Sequence, residues 1–210
     1  MESAADPQDL STNRPGAAAH QRASSLRDAA PVRTLLARVL RVSTEERAFR
    51  IGAEGEEDVG RRLARLGAEW RAIHAVPIGG ADSDIDHVVV GPAGVFTINT
   101  KHHPNGSIWV AERTFMLNGH RVPYLPKSVA EAKRAARLLS AAVGRDVNVR
   151  PIIVIVGAAR FTMRSEPPDV RVISGGELAT WLHAQPVTMD SSDVETVFLA
   201  ARRASSWHPA

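Results

Sequence analysis

The chain has 210 residues, 44% hydrophobic and 23% charged, enough for one globular domain with a real core and some tail. It has no cysteine, which excludes a disulfide framework, a zinc ribbon and a thiol nucleophile. No apolar run approaches the roughly 18–20 residues of a membrane span, the opening MESAADPQDLSTNRPGAAAH has no signal-peptide stretch, and a formal net charge of +3 permits contact with phosphate without announcing it; a cytoplasmic protein is expected.

Residues 1–30 are rich in Ala, Ser, Pro, Gln and Asp, cannot bury enough apolar surface to offset their ordering entropy, and read as a disordered tail. Val32, Leu35, Leu36, Val39 and Leu40 recur at helical spacing, so 31–43 reads as a short amphipathic helix ending before Ser43. A second helix is expected from Thr44 to Leu66, with Gly67 as its stop. Strand patterns follow at Trp70 to Val76, Ile85 to Val90, Val95 to Lys101 and Ser107 to Ala111, with a turn at Gly91-Pro92-Ala93-Gly94. Ser128 and Glu131 have capping-box spacing and open a helix running to Val143. Val149 to Val156 reads as a buried central strand, Val170 to Ile173 as a short one, Gly176 to His183 as a helix, and Ser192 to Arg203 as the last helix. The order predicts an α/β fold with a mixed central sheet flanked by helices, a main domain over 44–184, and a C-terminal helix and tail over 185–210.

If the runs around Gly91–Gly94 form an antiparallel hairpin with Gly91 opposite Gly94, then Val90 faces Val95, Val88 faces Thr97 and Asp86 faces Asn99. Lys101 then shares that face, so a carboxylate, an amide and an ammonium converge at one end of an otherwise apolar hairpin. Glu56, two helical turns before Leu63, projects from the inward stripe of the second helix, where a carboxylate needs a partner. Asp86 and Glu56 would suit a hard cation such as Mg2+, with Asn99 adding an amide oxygen and Lys101 orienting a water or offsetting charge. The same spacing also fits a diagonal Asp86–Lys101 ion pair with Asn99 beside it, and Glu56 paired to Arg61 or Arg62; spacing alone does not separate the two readings.

The runs Gly52-Ala53-Glu54-Gly55-Glu56, Asp84 through Phe96, and Asn99-Thr100-Lys101 resemble the nuclease-related NERD domain, over about Ile51 to Leu182. That family is related to the PD-(D/E)XK nucleases. The resemblance implies a restriction-endonuclease-like core and Mg2+- or Mn2+-dependent hydrolysis of phosphodiester bonds in nucleic acid, DNA in the first instance. It also implies that Glu56 stands on the helix glutamate, Asp86 on the metal-binding aspartate, Asn99 on the acidic position of the (D/E)-x-K element and Lys101 on its lysine. Two departures follow. Asn99 brings an amide where the family has an acid, so weaker Mg2+ affinity is expected. The helix glutamine that often follows a proline is missing after Pro126, although Lys127 or Lys133 stands near enough in sequence to reach a phosphate. The alternative is a catalytically degenerate fold that binds nucleic acid or another protein.

Lys133, Arg134 and Arg137 give the 128–143 helix a basic face, which suits either a nucleic-acid backbone or plain solvation; Lys127, just before it, joins Lys133 and Arg134 as a candidate nucleic-acid contact. His87 alternates with Asp86 and reads as a packing residue; His102 and His103 read as solvent-facing or loop residues. Trp109 and Phe115 suit base stacking in principle, with core packing the simpler reading.

Overall fold

The computed structural model describes residues 9–17, 35–78 and 84–207, with side chains of its first helix described from Ala48 onward. Among these residues the strands are β1 (Arg71–Pro77), β2 (Asp84–Gly91), β3 (Gly94–His102), β4 (Ser107–Ala111), β5 (Thr114–Leu117), β6 (His120–Arg121), β7 (Val149–Val156), β8 (Arg160–Met163) and β9 (Arg171–Ser174). The helices are α1 (Leu35–Leu63), α2 (Tyr124–Val143), α3 (Leu178–His183) and α4 (Ser191–Ala201). The main sheet runs β1-β2-β3-β7-β9, antiparallel as far as β3 and parallel beyond it. A second sheet, β6-β5-β4-β8, is also mixed.

Burial explains the patterns. β7 sits between two parallel neighbours with a helix layer on each face, so Ile152, Ile153, Val154 and Ile155 are all buried and the strand shows no alternation. On one face Val88, Val90 and Val95 pack against Ala132, Ala135 and Leu139 of α2 and Val194 and Val197 of α4. On the other, Val89, Phe96 and Ile98 meet Val59 and Leu63 of α1 and Leu178 and Leu182 of α3. A third cluster joins Ile108, Val110 and Phe115 of the second sheet to Ile153 and Ile155 of β7 and to Leu125 in the first turn of α2. This last contact fixes where α2 begins, and therefore which of its side chains look toward the end of β3.

Two sequence expectations are revised, both at helix boundaries, and two features are added. The helix expected to stop before Ser43 and the next one form a single helix, Leu35–Leu63; the pattern at 31–34 lies outside the described residues. α2 begins at Tyr124 with Pro123 as its N-cap, a turn earlier than the capping-box spacing suggested, and Ser128 is a buried residue inside it. The second sheet was not anticipated. Most of residues 1–30 lies outside the described residues, but 9–17 form a strap against the domain. There Leu10 is buried, its amide donates to the Arg202 carbonyl at 2.7 Å, Asp9 pairs with Arg202, and Asn13 Nδ2 donates to the carbonyls of His74 and Ala75. At the other end of the chain, Val194, Val197 and Trp207 are buried in the main core, so α4 is part of the same unit.

α1 approaches β3 closely at Gly55, where an added Cβ would lie 2.5 Å from Cβ of His102. Replacing a helical glycine by alanine ordinarily stabilises a helix by about 1 kcal/mol. Here the methyl meets the root of a side chain rather than its flexible end, so overpacking governs, at about 1–3 kcal/mol. Gly55→Ala is therefore expected to lower the urea midpoint of unfolding, whereas the same change at Gly52, which has open space around its Cα, raises it or leaves it unchanged.

Candidate active site

The β2–β3 hairpin has the register the turn predicts. Gly91 pairs with Gly94, Val90 with Val95, Val88 with Thr97 and His87 with Ile98. Gly94 takes φ +115, a conformation suited to glycine, and this closes the turn. One step past the last pair, the same alternation sets Asp86 across from Asn99 on the α2 face, with Lys101 two residues further along β3. These residues line a cavity of about 500 Å³ together with Asp84 and, from α2, Tyr124, Lys127, Glu131 and Arg134.

The polar groups are held in a chain of hydrogen bonds. Asp86 Oδ2 accepts from the Thr100 amide at 2.6 Å, which turns the carboxylate toward the backbone of β3. Lys101 Nζ donates to Asn99 Oδ1 at 2.5 Å, and Asn99 Nδ2 donates to the Glu131 carboxylate. Lys101 also lies over the Tyr124 ring, 5.1 Å from its centroid. Lys101 is thus bonded to its neighbour on the same strand, as alternation on one face allows.

Beneath the site is a buried histidine pair. His74 Nδ1 and His87 Nδ1 are 2.8 Å apart, and His87 Nε2 lies 3.4 Å from the Thr100 hydroxyl. Burial pushes His74 down to about 4 and His87 well below its ordinary value, so both rings are neutral at pH 7 and one Nδ1–H donates to the other. His87 therefore packs away from the cavity, as alternation predicts, and props Thr100, the residue whose amide orients Asp86.

Two carboxylates respond to this environment. Burial, reinforced by the charge of Asp86, pushes Glu56 up to about 8, against a backbone hydrogen bond from Gly16 in the N-terminal strap. Burial and Asp86 likewise push Glu131 up to about 7. Glu56 is partly buried on α1, within electrostatic reach of Asp86 and Lys101. Its expected alternative partners are engaged elsewhere: Arg61 and Arg62 both pair with Asp58.

Of the basic residues singled out from the sequence, Lys127 and Arg134 line the cavity, whereas Lys133 lines a separate depression with Arg113 and Arg121. His102 and His103 are not free in solvent. His102 Nδ1 lies 2.5 Å from the Ile51 carbonyl, and His103 stacks on Tyr124 with ring centroids 5.9 Å apart. Phe115 is core; Trp109 is 37% exposed on β4 and does not line the cavity. Glu131 is the residue that the sequence reading placed elsewhere. Its spacing from Ser128 suggested a cap, and only the earlier start of α2 shows that it faces the site.

An oxygen-rich donor set suits a hard divalent cation better than a soft one. Burial and the nearby charge of Asp86 raise Glu56 and Glu131, and a cation would relieve both effects. Among the described residues, however, no three His, Cys, Asp or Glu side chains stand together as a ready-made metal group. Mg2+ does not demand one, since it commonly keeps several waters and takes one or two carboxylates.

The structure is a mixed α/β fold, with a sheet between helix layers and an acid, an amide and a lysine at the end of a central hairpin. The family model for the nuclease-related domain matches residues 51–156, just over half the chain, and the chain belongs to that family. Neither the curated proteins nor the solved structures yield a match. Among the described residues no helix is long and apolar enough to cross a membrane.

A carboxyl held above its unfolded pKa binds more protons folded than unfolded, so stability falls as pH rises through the interval between the two values. The buried histidines, held below their unfolded values, act in the opposite sense up to about pH 6.5, so in the presence of a chelator the urea midpoint is expected to fall between about pH 6.5 and pH 8. In Glu56→Gln, measured over the same range, the decline is expected to be shallower.

Proposed function

We propose that the protein is a metal-dependent phosphodiesterase acting on nucleic acid, with DNA as the first substrate to test. The observation that carries this reading is the meeting of Asp86, Asn99 and Lys101 in one cavity, in a chain of the nuclease-related family. Asp86 and Glu56 would hold Mg2+ or Mn2+, with Asn99 contributing its amide oxygen or steadying its neighbours. When bound, such a cation supplies Lewis-acid chemistry, lowering the pKa of a water and offsetting charge on the phosphate.

The chain's own residues account for the rest. The Thr100 amide fixes the Asp86 carboxylate. Asn99 Oδ1 and the Tyr124 ring hold the Lys101 ammonium at the cavity, where it would favour the negative charge that develops as the phosphate is attacked. Lys127 and Arg134, exposed on the cavity side of α2, would bind flanking phosphates and make affinity salt-dependent. A second reading, a nucleic-acid-binding module without catalysis, draws on Asn99 standing where the family has an acid.

Purified protein incubated with linear, circular and single-stranded DNA, with Mg2+, Mn2+ or chelator, separates the two. Metal-dependent cleavage that falls by about 100-fold or more in Asp86→Ala and Lys101→Ala is expected. Binding that depends on Lys127 and Arg134, with no cleavage under any condition and none gained in Asn99→Glu, favours the binding module.

A further inference from the structure

The strand of this chain lacks the acid expected at residue 99, and the geometry shows what stands next to the vacancy in charge. Asn99 is 8% exposed and spans two groups with its one amide: the oxygen accepts from Lys101 and the nitrogen donates to Glu131. An acid at residue 99 would set two carboxylates against each other here, whereas an amide joins Lys101 to Glu131 through complementary donors and acceptors. Glu131 reaches this place because α2 begins at Tyr124, anchored by Leu125 in the cluster below the second sheet. Lys127 and Arg134, four residues before and three after it, line the same cavity, so Glu131 lies on the helical stripe that faces Asp86.

Resting on the reading of the site as a cation-dependent one, we propose that Glu131 supplies from α2 the negative charge that Asn99 does not supply from β3. Asn99 is then a positioning residue that steadies both Glu131 and Lys101, and the cation-holding charge of this chain is divided between a strand and a helix. Because Mg2+ and Mn2+ retain water in their shells, Glu131 need not touch the ion to hold it; a carboxylate acting through an ordered water serves the same end.

The test is Mn2+ binding, read from the loss of the free-ion electron paramagnetic resonance signal on addition of the full chain, with no substrate present. Wild type is compared with Asp86→Ala, Glu131→Gln, Asn99→Glu and the exchange variant Asn99→Glu/Glu131→Gln, each first shown to be folded by circular dichroism. Glu131→Gln is expected to weaken binding about 10–100-fold. The exchange variant is expected to return to within about threefold of wild type, because it moves the charge across one hydrogen bond and keeps the count. Affinity unchanged in Glu131→Gln but lost in Asp86→Ala would overturn the role of Glu131 and leave the cation site standing. No binding by wild type, or equal binding by wild type and Asp86→Ala, would overturn the site itself and this inference with it.

Discussion

The geometry of the site depends on one constraint, the register of the β2–β3 hairpin. Side chains on a strand alternate between faces, so a slip of one residue would send Asn99 and Lys101 to the α1 face and leave Asp86 alone. The Gly91–Gly94 pair prevents that slip at one end. The buried faces prevent it along the length: Phe96 and Ile98 fill the α1 side, and Val88, Val90 and Val95 fill the α2 side. The polar residues occur only where the ladder leaves the two hydrophobic layers. There the cost of burying them is reduced by the cavity and by the hydrogen bonds they make to one another.

The site is also electrostatically unfinished. Among the described residues, charged pairs such as Arg61 and Arg62 with Asp58 lie at the surface and are satisfied locally. Glu56 and Glu131 are instead half-buried beside Asp86, with Lys101 as the cation that lowers both. A fold that served only stability would gain by neutralising one of these acids, because a crowded, desolvated carboxylate works against folding. Their placement near a lysine and two further basic residues supports the proposal of a site for a charged ligand. The neutral His74–His87 pair fits the same economy, supporting Thr100 without adding a charge of its own.

Much of this was legible in the sequence, and the reasons are local. The Gly-Pro-Ala-Gly turn flanked by branched residues dictated the hairpin and hence the shared face of Asp86, Asn99 and Lys101. The continuous apolar run at β7 announced a doubly covered strand. What was hidden depended on contacts between distant segments. Of the second sheet only β4 showed in the sequence; β5, β6 and β8, of two to four residues, are too short for a period to register, and β8 joins the sheet by pairing with β4 across a long separation in the chain. The start of α2 was misread because Pro126 and Ser128 imitate a helix boundary. A proline in the first turn costs no hydrogen bond, as the amides there have no helical partner, so the helix could begin at Tyr124. That single turn decided whether Glu131 was read as a cap or as part of the site.

The N-terminal strap separates what is inherited from what folds. Residues matching the family begin at 51, yet a carboxylate within the match, that of Glu56, accepts a hydrogen bond from Gly16, and the strap is tied through Asp9 to Arg202 near the opposite end. Leu178, Leu182, Val194 and Val197, which complete both hydrophobic layers, also lie beyond the match. The core around the recognisable module is therefore completed by residues outside it. The hairpin is set in a clasp closed from both sides of the match, so that changes in the strap or at Arg202 can tune the acid on α1 without altering a residue of the shared motif.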